Sequence, residues 1–402
     1  MNQGTDPILV GIDLAKDSFT CAVWHPSAEE IRSFLLTHEG LADFCQFLDH
    51  YGPFPESFVF GLEATGPYTN LLLAWLVDHQ ARVHLINPLL IYRFAKAQSL
   101  RRAKTDAIDA HTIAAYMAQA TQLPKPISAC DNLLPLAHEY EQITDQIARI
   151  KTQLRQQLHS LFPELAGIPG LFARYLLSTL LVFPSARAIR DAQPDDLLST
   201  WSAALSATGK PPAMNCQRLS DLALHSIGVD SLQREFVLQS KIRQLLHLLS
   251  EQKILRDSLA QAVRREHPQA WHILSAIPGL GPVTVAMFLA QVHSIDRFPF
   301  HKQLIAYVGT DPTVYESGQY RAPGHISKRG SPHLRKTLYL MAQSVIRYTE
   351  TFANHFDRLV SRGKPYRVAV IATANKLLRV MYALLTKGVP FQDTQQPTVS
   401  HS

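Results

Sequence analysis

Residues 8–17 read ILVGIDLAKD, residues 60–66 read FGLEATG and residues 104–111 read KTDAIDAH. The first is a short apolar run rich in β-branched residues that ends in an acid, Asp13. It predicts a buried strand. The second predicts another strand ending in Glu63. The third places Asp106 and Asp109 three apart at the start of a strongly helical segment, with Thr105 as N-cap.

Working outward, SFTCAVWH alternates and EIRSFLLT follows it, so the first three strands predict a meander. LADFCQFLDHYG has helical spacing and ends at Gly52. SFVFGLE is the next strand. PYTNLLLAWLVDHQ, opening on Pro67, predicts a helix, and ARVHLIN a further strand before the TDAIDAHTIAAYMAQA helix. The order β-β-β-α-β-α-β-α is that of a ribonuclease H-like α/β domain. Pro124 and Pro126 then mark a linker. Residues 134–162 and roughly 231–266 carry heptad-like apolar spacing and predict long helices of coiled-coil type, with a small helical insertion between them. From about 271 a mainly helical unit begins. Its IPGLGPVTV resembles a helix-hairpin-helix turn, whose amides face a DNA phosphate; a plain αα turn without ligand reads equally well. The expected division is 1–127, 128–268, 269–390 and a polar, disordered tail over 391–402.

Charge is asymmetric. The net is +6, yet the first hundred residues are acidic and residues 301–390 are basic, which pairs a metal site in front with a polyanion contact behind. The four scattered cysteines form no CxxC pair, against a zinc site or disulfide framework. No run of about 18 apolar residues predicts a membrane span, and the N-terminus lacks the features of a signal peptide. A reducing, cytoplasmic setting fits.

Asp13, Glu63, Asp106 and Asp109 form a set. Adjacent parallel strands would bring Asp13 beside Glu63, and the helix could aim the other two at them. Singly, each is an ordinary turn or capping acid. Together, four convergent carboxylates repel one another unless a hard divalent cation relieves them, and oxygen-only ligands select Mg²⁺ or Mn²⁺. Two such ions can clamp a phosphodiester. Near the C-terminus, YVGTDPTVYESGQYRAPGHISKRGSPHLRKTLY (307–339) is glycine-rich and basic. Gly309, Gly318, Gly324 and Gly330 allow close backbone approach. Lys328, Arg329, Arg335 and Lys336 are candidate phosphate contacts, as are Arg101, Arg102 and Lys104 before the acidic helix. His325 and His333 could move protons. Ser317, in ESG, is a candidate nucleophile; read alone, it is a turn hydroxyl, as Ser327 and Ser331 are.

GIDLAKD, GLEATG, the segment from Asn87 to Ala110, IPGLGPVTVA and the serine segment, in this order, resemble the insertion-sequence-110 family of transposases. The resemblance covers about 1–125 and about 270–390. It implies a domain similar to the Holliday-junction resolvase RuvC, carrying an Asp-Glu-Asp-Asp set, and a C-terminal transposase domain with a serine. On it, Asp13, Glu63, Asp106 and Asp109 match the carboxylates, and Ser317 matches the serine that attacks the phosphodiester. It implies donor and target DNA as substrates and an element-encoded bridge RNA as guide; cutting two strands in each of two duplexes needs several active sites, so a homo-oligomer, dimer or tetramer, is expected. The middle region, about 165–230, is longer than a simple connector, a departure from the pattern. Three rivals stand beside this reading. A RuvC-like structure-selective endonuclease would use the carboxylates without Ser317. A sugar kinase or actin-like ATPase would need further phosphate loops, and we find none. A non-catalytic nucleic-acid-binding protein would leave the four acids without a task.

Overall fold

In the computed structural model the described residues are 7–25, 28–63, 69–98, 105–121, 123–127, 133–206, 214–312, 316–317, 320–321 and 325–393. The chain divides into two compact units, residues 1–131 and 132–402.

The first unit is built on β1 (Ile8–Leu14), β2 (Ser18–His25), β3 (Ala28–Leu35), α1 (His38–Asp49), β4 (Phe58–Glu63), α2 (Thr69–Asp78), β5 (Arg82–Ile86), α3 (Pro88–Gln98) and α4 (Asp106–Gln119). The sheet order is β3-β2-β1-β4-β5. The expected meander is antiparallel, and β1 runs parallel to β4, which runs parallel to β5. This small mixed sheet is compatible with the ribonuclease H-like arrangement read from the sequence. Helix α3 was not foreseen.

Strand periodicity divides the sheet into two faces. Val10, Ile12, Phe60 and Leu62 point to one, where they pack with Phe44, Leu48, Leu72 and Leu76 of α1 and α2. Gly11 and Gly61 point to the other and lie directly opposite each other in the β1–β4 register. A Cβ on Gly11 would sit 2.3 Å from the Ala110 carbonyl oxygen, and one on Gly61 would sit 2.1 Å from Met117 Sδ. These two glycines form the seat on which α4 lies, with Ala110, Ile113 and Ala114 buried against the sheet.

In the second unit α5 (Leu134–Leu161) is followed by α6 (Pro163–Ala166), α7 (Arg174–Val182), α8 (Ala186–Arg190), α9 (Pro194–Ser206) and α10 (Cys216–Leu224), then α11 (Leu232–Glu266). The two long helices pack antiparallel: Thr144 meets Gln252 (2.8 Å) and Ser160 meets Arg234 (3.5 Å). Helices α6 to α10, the insertion, close a core with Leu154, Leu158, Leu238 and Ile242 of these two. Their opposite ends, with Ala137, Leu259 and Val263, join a second core. That core holds α12 (Pro268–Ser275), α13 (Pro282–Val292), α14 (His301–Val308), α15 (Pro332–Tyr348), α16 (Glu350–Ser361) and α17 (Tyr366–Lys387). Helix α11 contributes to both cores.

Of the stretch expected as a tail, residues 391–393 are described and make contacts: Phe391 stacks on Phe352, and Asp393 accepts hydrogen bonds from Glu350 N (3.0 Å) and Thr351 N (3.2 Å), capping α16. By length and composition α17 is apolar enough to cross a membrane, contrary to the sequence reading. Its Val370, Ala374, Leu377, Leu378 and Met381 are fully buried in the second core, so packing within the chain accounts for that composition.

Candidate active site

The carboxylates come from backbone geometry. Asp13 shares a face with Gly11, and Glu63 shares one with Gly61, because side chains two apart on a strand point the same way. With Ile12 opposite Leu62, both acids stand at the ends of neighbouring parallel strands, on the side where α4 lies. Thr105 caps that helix, its Oγ1 accepting from Ile108 N at 3.3 Å. Asp106 and Asp109 occupy its first turn, where the positive end of the helix favours acids. Burial, then the negative charges of Asp109, Asp106 and Glu63, push the Asp13 carboxyl up to about 6. Asp13 therefore senses the charges of the other three acids at one end of the sheet. Among the described residues no three acidic, histidine or cysteine side chains are close enough to hold one ion as they stand; like charges favour spread rotamers. The donor set is oxygen-only and mutually repulsive, and it fits a hard divalent cation. Asp13, Glu63, Asp106 and Asp109 are the groups that would hold it. Arg101, Arg102 and Lys104 lie outside the described residues.

The serine segment is a ribbon with a fixed neck. β6 (Glu316–Ser317) pairs antiparallel with β7 (Tyr320–Arg321), Ser317 opposite Tyr320. Below it, Pro312 bridges Ile326, Ser327 N donates to Asp311 O (2.9 Å), Lys328 N donates to Gly309 O (3.1 Å), and Ser327 Oγ donates to Asp311 Oδ1. Gly309, at φ +76°, passes Gly330 so closely that a Cβ on it would sit 2.6 Å from Gly330 N. Ser331 caps α15, accepting from Leu334 N at 3.1 Å. The sequence reading missed Asn375 of α17. Buried Thr310 donates to its Oδ1 (2.6 Å), and its Nδ2 donates to Thr310 O (3.0 Å). An Asn amid apolar helical residues was the available signal.

The basic candidates divide. Lys328 and Arg329 are exposed, with Lys328 at φ +53°. Arg335 Nη1 donates to Val308 O (3.1 Å) and Gly330 O (3.5 Å), bracing the neck. Lys336 bonds Asp145 and buried Glu141 of α5, both at 2.9 Å. Burial alone would lower its ammonium; these partners outweigh burial and hold it above the usual lysine range. His333 Nδ1 lies 2.6 Å from the same Glu141, and His325 is exposed.

Comparison with known proteins bears on both regions. Residues 10–163 match a transposase family model named for a DEDD set in IS110 elements, and residues 271–357 match the model described as "Transposase IS116/IS110/IS902 family". The chain belongs to the IS110 family of transposases. It is a DNA transposase, and its DEDD domain points to dependence on a divalent metal. The transposase is similar to a pilin gene-inverting protein of Moraxella lacunata, 26% identical over 392 residues, covering 95% of this chain and 97% of the relative. It is also similar to an uncharacterized IS110 protein of Streptomyces coelicolor, at 25% identity over 73% of each chain. A third relative is a probable family 20 transposase of Pseudomonas aeruginosa, 26% identical over 76% of this chain and 77% of the relative. The two family matches leave residues 164–270 between them.

Proposed function

We propose that this transposase cuts and rejoins DNA strands with Ser317 as nucleophile and with Asp13, Glu63, Asp106 and Asp109 as ligands of Mg²⁺ or Mn²⁺. The observation that carries the reading is the raised Asp13 carboxyl, pushed up by burial and by the three other acids of the set. A divalent ion bound there supplies positive charge that neutralises the phosphate and eases deprotonation of an attacking hydroxyl. The serine Oγ forms a bond to phosphorus as the bond to the leaving deoxyribose oxygen breaks, and that oxygen takes up a proton. Attack by a deoxyribose hydroxyl reverses the step and rejoins a strand. Nothing is oxidised, and the phosphodiester count is conserved.

Lys328 and Arg329, exposed at the neck of the ribbon, are the foremost phosphate contacts in this reading; Arg101, Arg102 and Lys104 serve the carboxylate end. Arg335 and Lys336 already have partners in the chain and act through the shape of the neck and of α15. Donor and target DNA are the substrates, an element-encoded structured RNA is the guide, and a dimer or tetramer is the working assembly. In this reading the antiparallel α5–α11 pair is a coiled-coil element, residues 128–268 are a connector with an insertion, and residues 269–390 are the part that carries the serine.

The experiment is purification of the chain from cells carrying the flanking element DNA, with sequencing of the bound RNA, followed by cleavage of donor DNA with and without that RNA. A discrete element-derived RNA that is needed for cleavage is expected. Cleavage unaffected by RNase treatment would overturn the RNA part; a covalent protein–DNA adduct separates the serine reaction from a plain metal-dependent endonuclease.

A further inference from the structure

The insertion between the two family matches contains a turn that matches one in the transposase region. Residues 165–171 read LAGIPGL and residues 274–280 read LSAIPGL, and the same offset carries Ser185 onto Ser294. Each copy follows a long helix that ends at an X-Pro step, Phe162–Pro163 after α5 and His267–Pro268 after α11. Each turn has its glycine in the left-handed region, Gly170 at φ +83° and Gly279 at φ +89°. Each makes the same backbone bonds: Ile168 N to Leu165 O and Leu171 N to Ile168 O, Ile277 N to Leu274 O and Leu280 N to Ile277 O. An apolar helix follows in each, α7 or α13, and then a short helical turn whose N-cap is Ser185 or Ser294. The two turns therefore share sequence, dihedral sign and hydrogen bonds.

The copies differ in what covers the turn. Ser344 Oγ of α15 donates to Gly279 O at 2.5 Å, and the Tyr348 ring lies 3.0 Å from where a Gly279 Cβ would be. That turn is docked inside its own unit. In the insertion Gly167 has no atom within 4 Å of a Cβ position, and Gly167, Pro169 and Gly170 are exposed. The turn lines an open cavity of about 410 Å³ together with Arg155 and Phe172. Phe172 stands where the other copy has Gly281. Lys151 Nζ lies 5.3 Å and Arg155 Cζ 4.9 Å from its ring centroid. Arg174 opens α7 beside the cavity and is exposed. Among the described residues no carboxylate forms an ion pair with Lys151, Arg155 or Arg174.

We propose that this cavity binds an unpaired nucleotide: a base stacks on Phe172, and its flanking phosphates are held by Lys151, Arg155 and Arg174. A half-buried aromatic among cations that no described carboxylate pairs is the combination that recognises single-stranded nucleic acid, because every base has a π-face and every backbone a phosphate. A closed duplex hides its bases and cannot supply the stacking partner. The ligand is thus a single-stranded stretch of RNA or DNA. The site depends neither on Ser317 nor on the carboxylates.

The test is fluorescence anisotropy of the full-length chain in EDTA, so that no strand is cut, with three labelled probes of one sequence: single-stranded RNA, single-stranded DNA and the blunt duplex. Phe172→Ala is expected to weaken binding of at least one single strand about ten-fold or more and to leave the duplex unchanged. Phe172→Trp should retain wild-type binding, because it keeps a stacking surface. Lys151→Glu with Arg155→Glu, both on the surface of α5, should weaken the same strand and flatten its salt dependence, with the thermal melt unchanged. The strand that responds more strongly identifies the source, RNA or DNA. Wild-type binding of both single strands by Phe172→Ala and by the double charge reversal would overturn the site, as would equal losses on all three probes.

Discussion

The two candidate halves of the chemistry are held in different ways. In the first unit, strand register and a helix seated on Gly11 and Gly61 fix where four carboxylates arise. In the second, Ser317 rides a ribbon with two residues per strand, and among the described residues the bonds next along the chain run from Pro312–Ile326 down to Thr310–Asn375. Two paired residues per strand cannot hold a ribbon by themselves. The contrast explains why glycines matter in both places. Gly11 and Gly61 admit a helix, whereas Gly309 and Gly330 admit a crossing of two backbones.

The largest expected effect breaks the first half without touching its fold. Asp13→Asn, Glu63→Gln, Asp106→Asn or Asp109→Asn each removes a ligand charge, and each should lower divalent-metal-dependent strand cleavage about a hundred-fold or more. Circular dichroism and melting should show a folded protein. Full activity in any two of these variants would remove the set from the mechanism.

Changing the seat rather than the ligands sharpens the comparison. Gly11→Val would place a side chain 2.3 Å from a backbone oxygen of α4. The cost expected from overpacking is about 3 kcal/mol or more, read as a lower urea midpoint for the first unit. Cleavage should fall although all four acids remain. In the second half, Asn375→Leu removes both bonds to buried Thr310. The loss should be about 1–3 kcal/mol, with a fall in cleavage and no change in the urea midpoint of the first unit. A Gly11→Val protein with wild-type stability would mean that α4 does not need its seat.

The smallest effect is a pH dependence. The Asp13 carboxyl lies near 6 in the folded chain against 3.8 for a free one. The folded state therefore holds a proton that the unfolded state releases, so this group lowers stability as pH rises from about 4 to about 6. In EDTA, Asp13→Asn should melt higher than wild type above pH 6, and the difference should vanish below pH 4. Added Mg²⁺ should narrow the gap by stabilising the wild type alone. An Asp13→Asn chain that melts lower at neutral pH in EDTA would contradict the electrostatic account.

Much of this was legible in the sequence, for physical reasons. Asp13 and Glu63 end apolar β-branched runs, and Thr105 caps a segment whose acids are three apart, so local patterns carry their positions. The role of Gly11 and Gly61 is visible only once β1 and β4 are aligned side by side. Charge alone did not say which cations are spoken for: Lys336 finds Asp145 and Glu141 on a helix 191 and 195 residues earlier in the chain. The Thr310–Asn375 pair spans a similar gap in kind, between a loop and a distant helix. The likeness of the two IPGL turns is faint in the sequence because it amounts to five identical residues in seven within long, divergent helical stretches.

The central claim is that Ser317 and the carboxylate set perform one reaction. It is tested most directly by denaturing electrophoresis of the transposase incubated with labelled donor DNA, its copurified RNA and Mg²⁺. The account predicts a protein–DNA adduct that resists boiling in detergent and maps to Ser317 by mass spectrometry. Ser317→Ala and Asp13→Asn should each abolish it, while both variants still bind DNA. An adduct that persists in Ser317→Ala, or strand cleavage by that variant at the wild-type rate, would contradict the account.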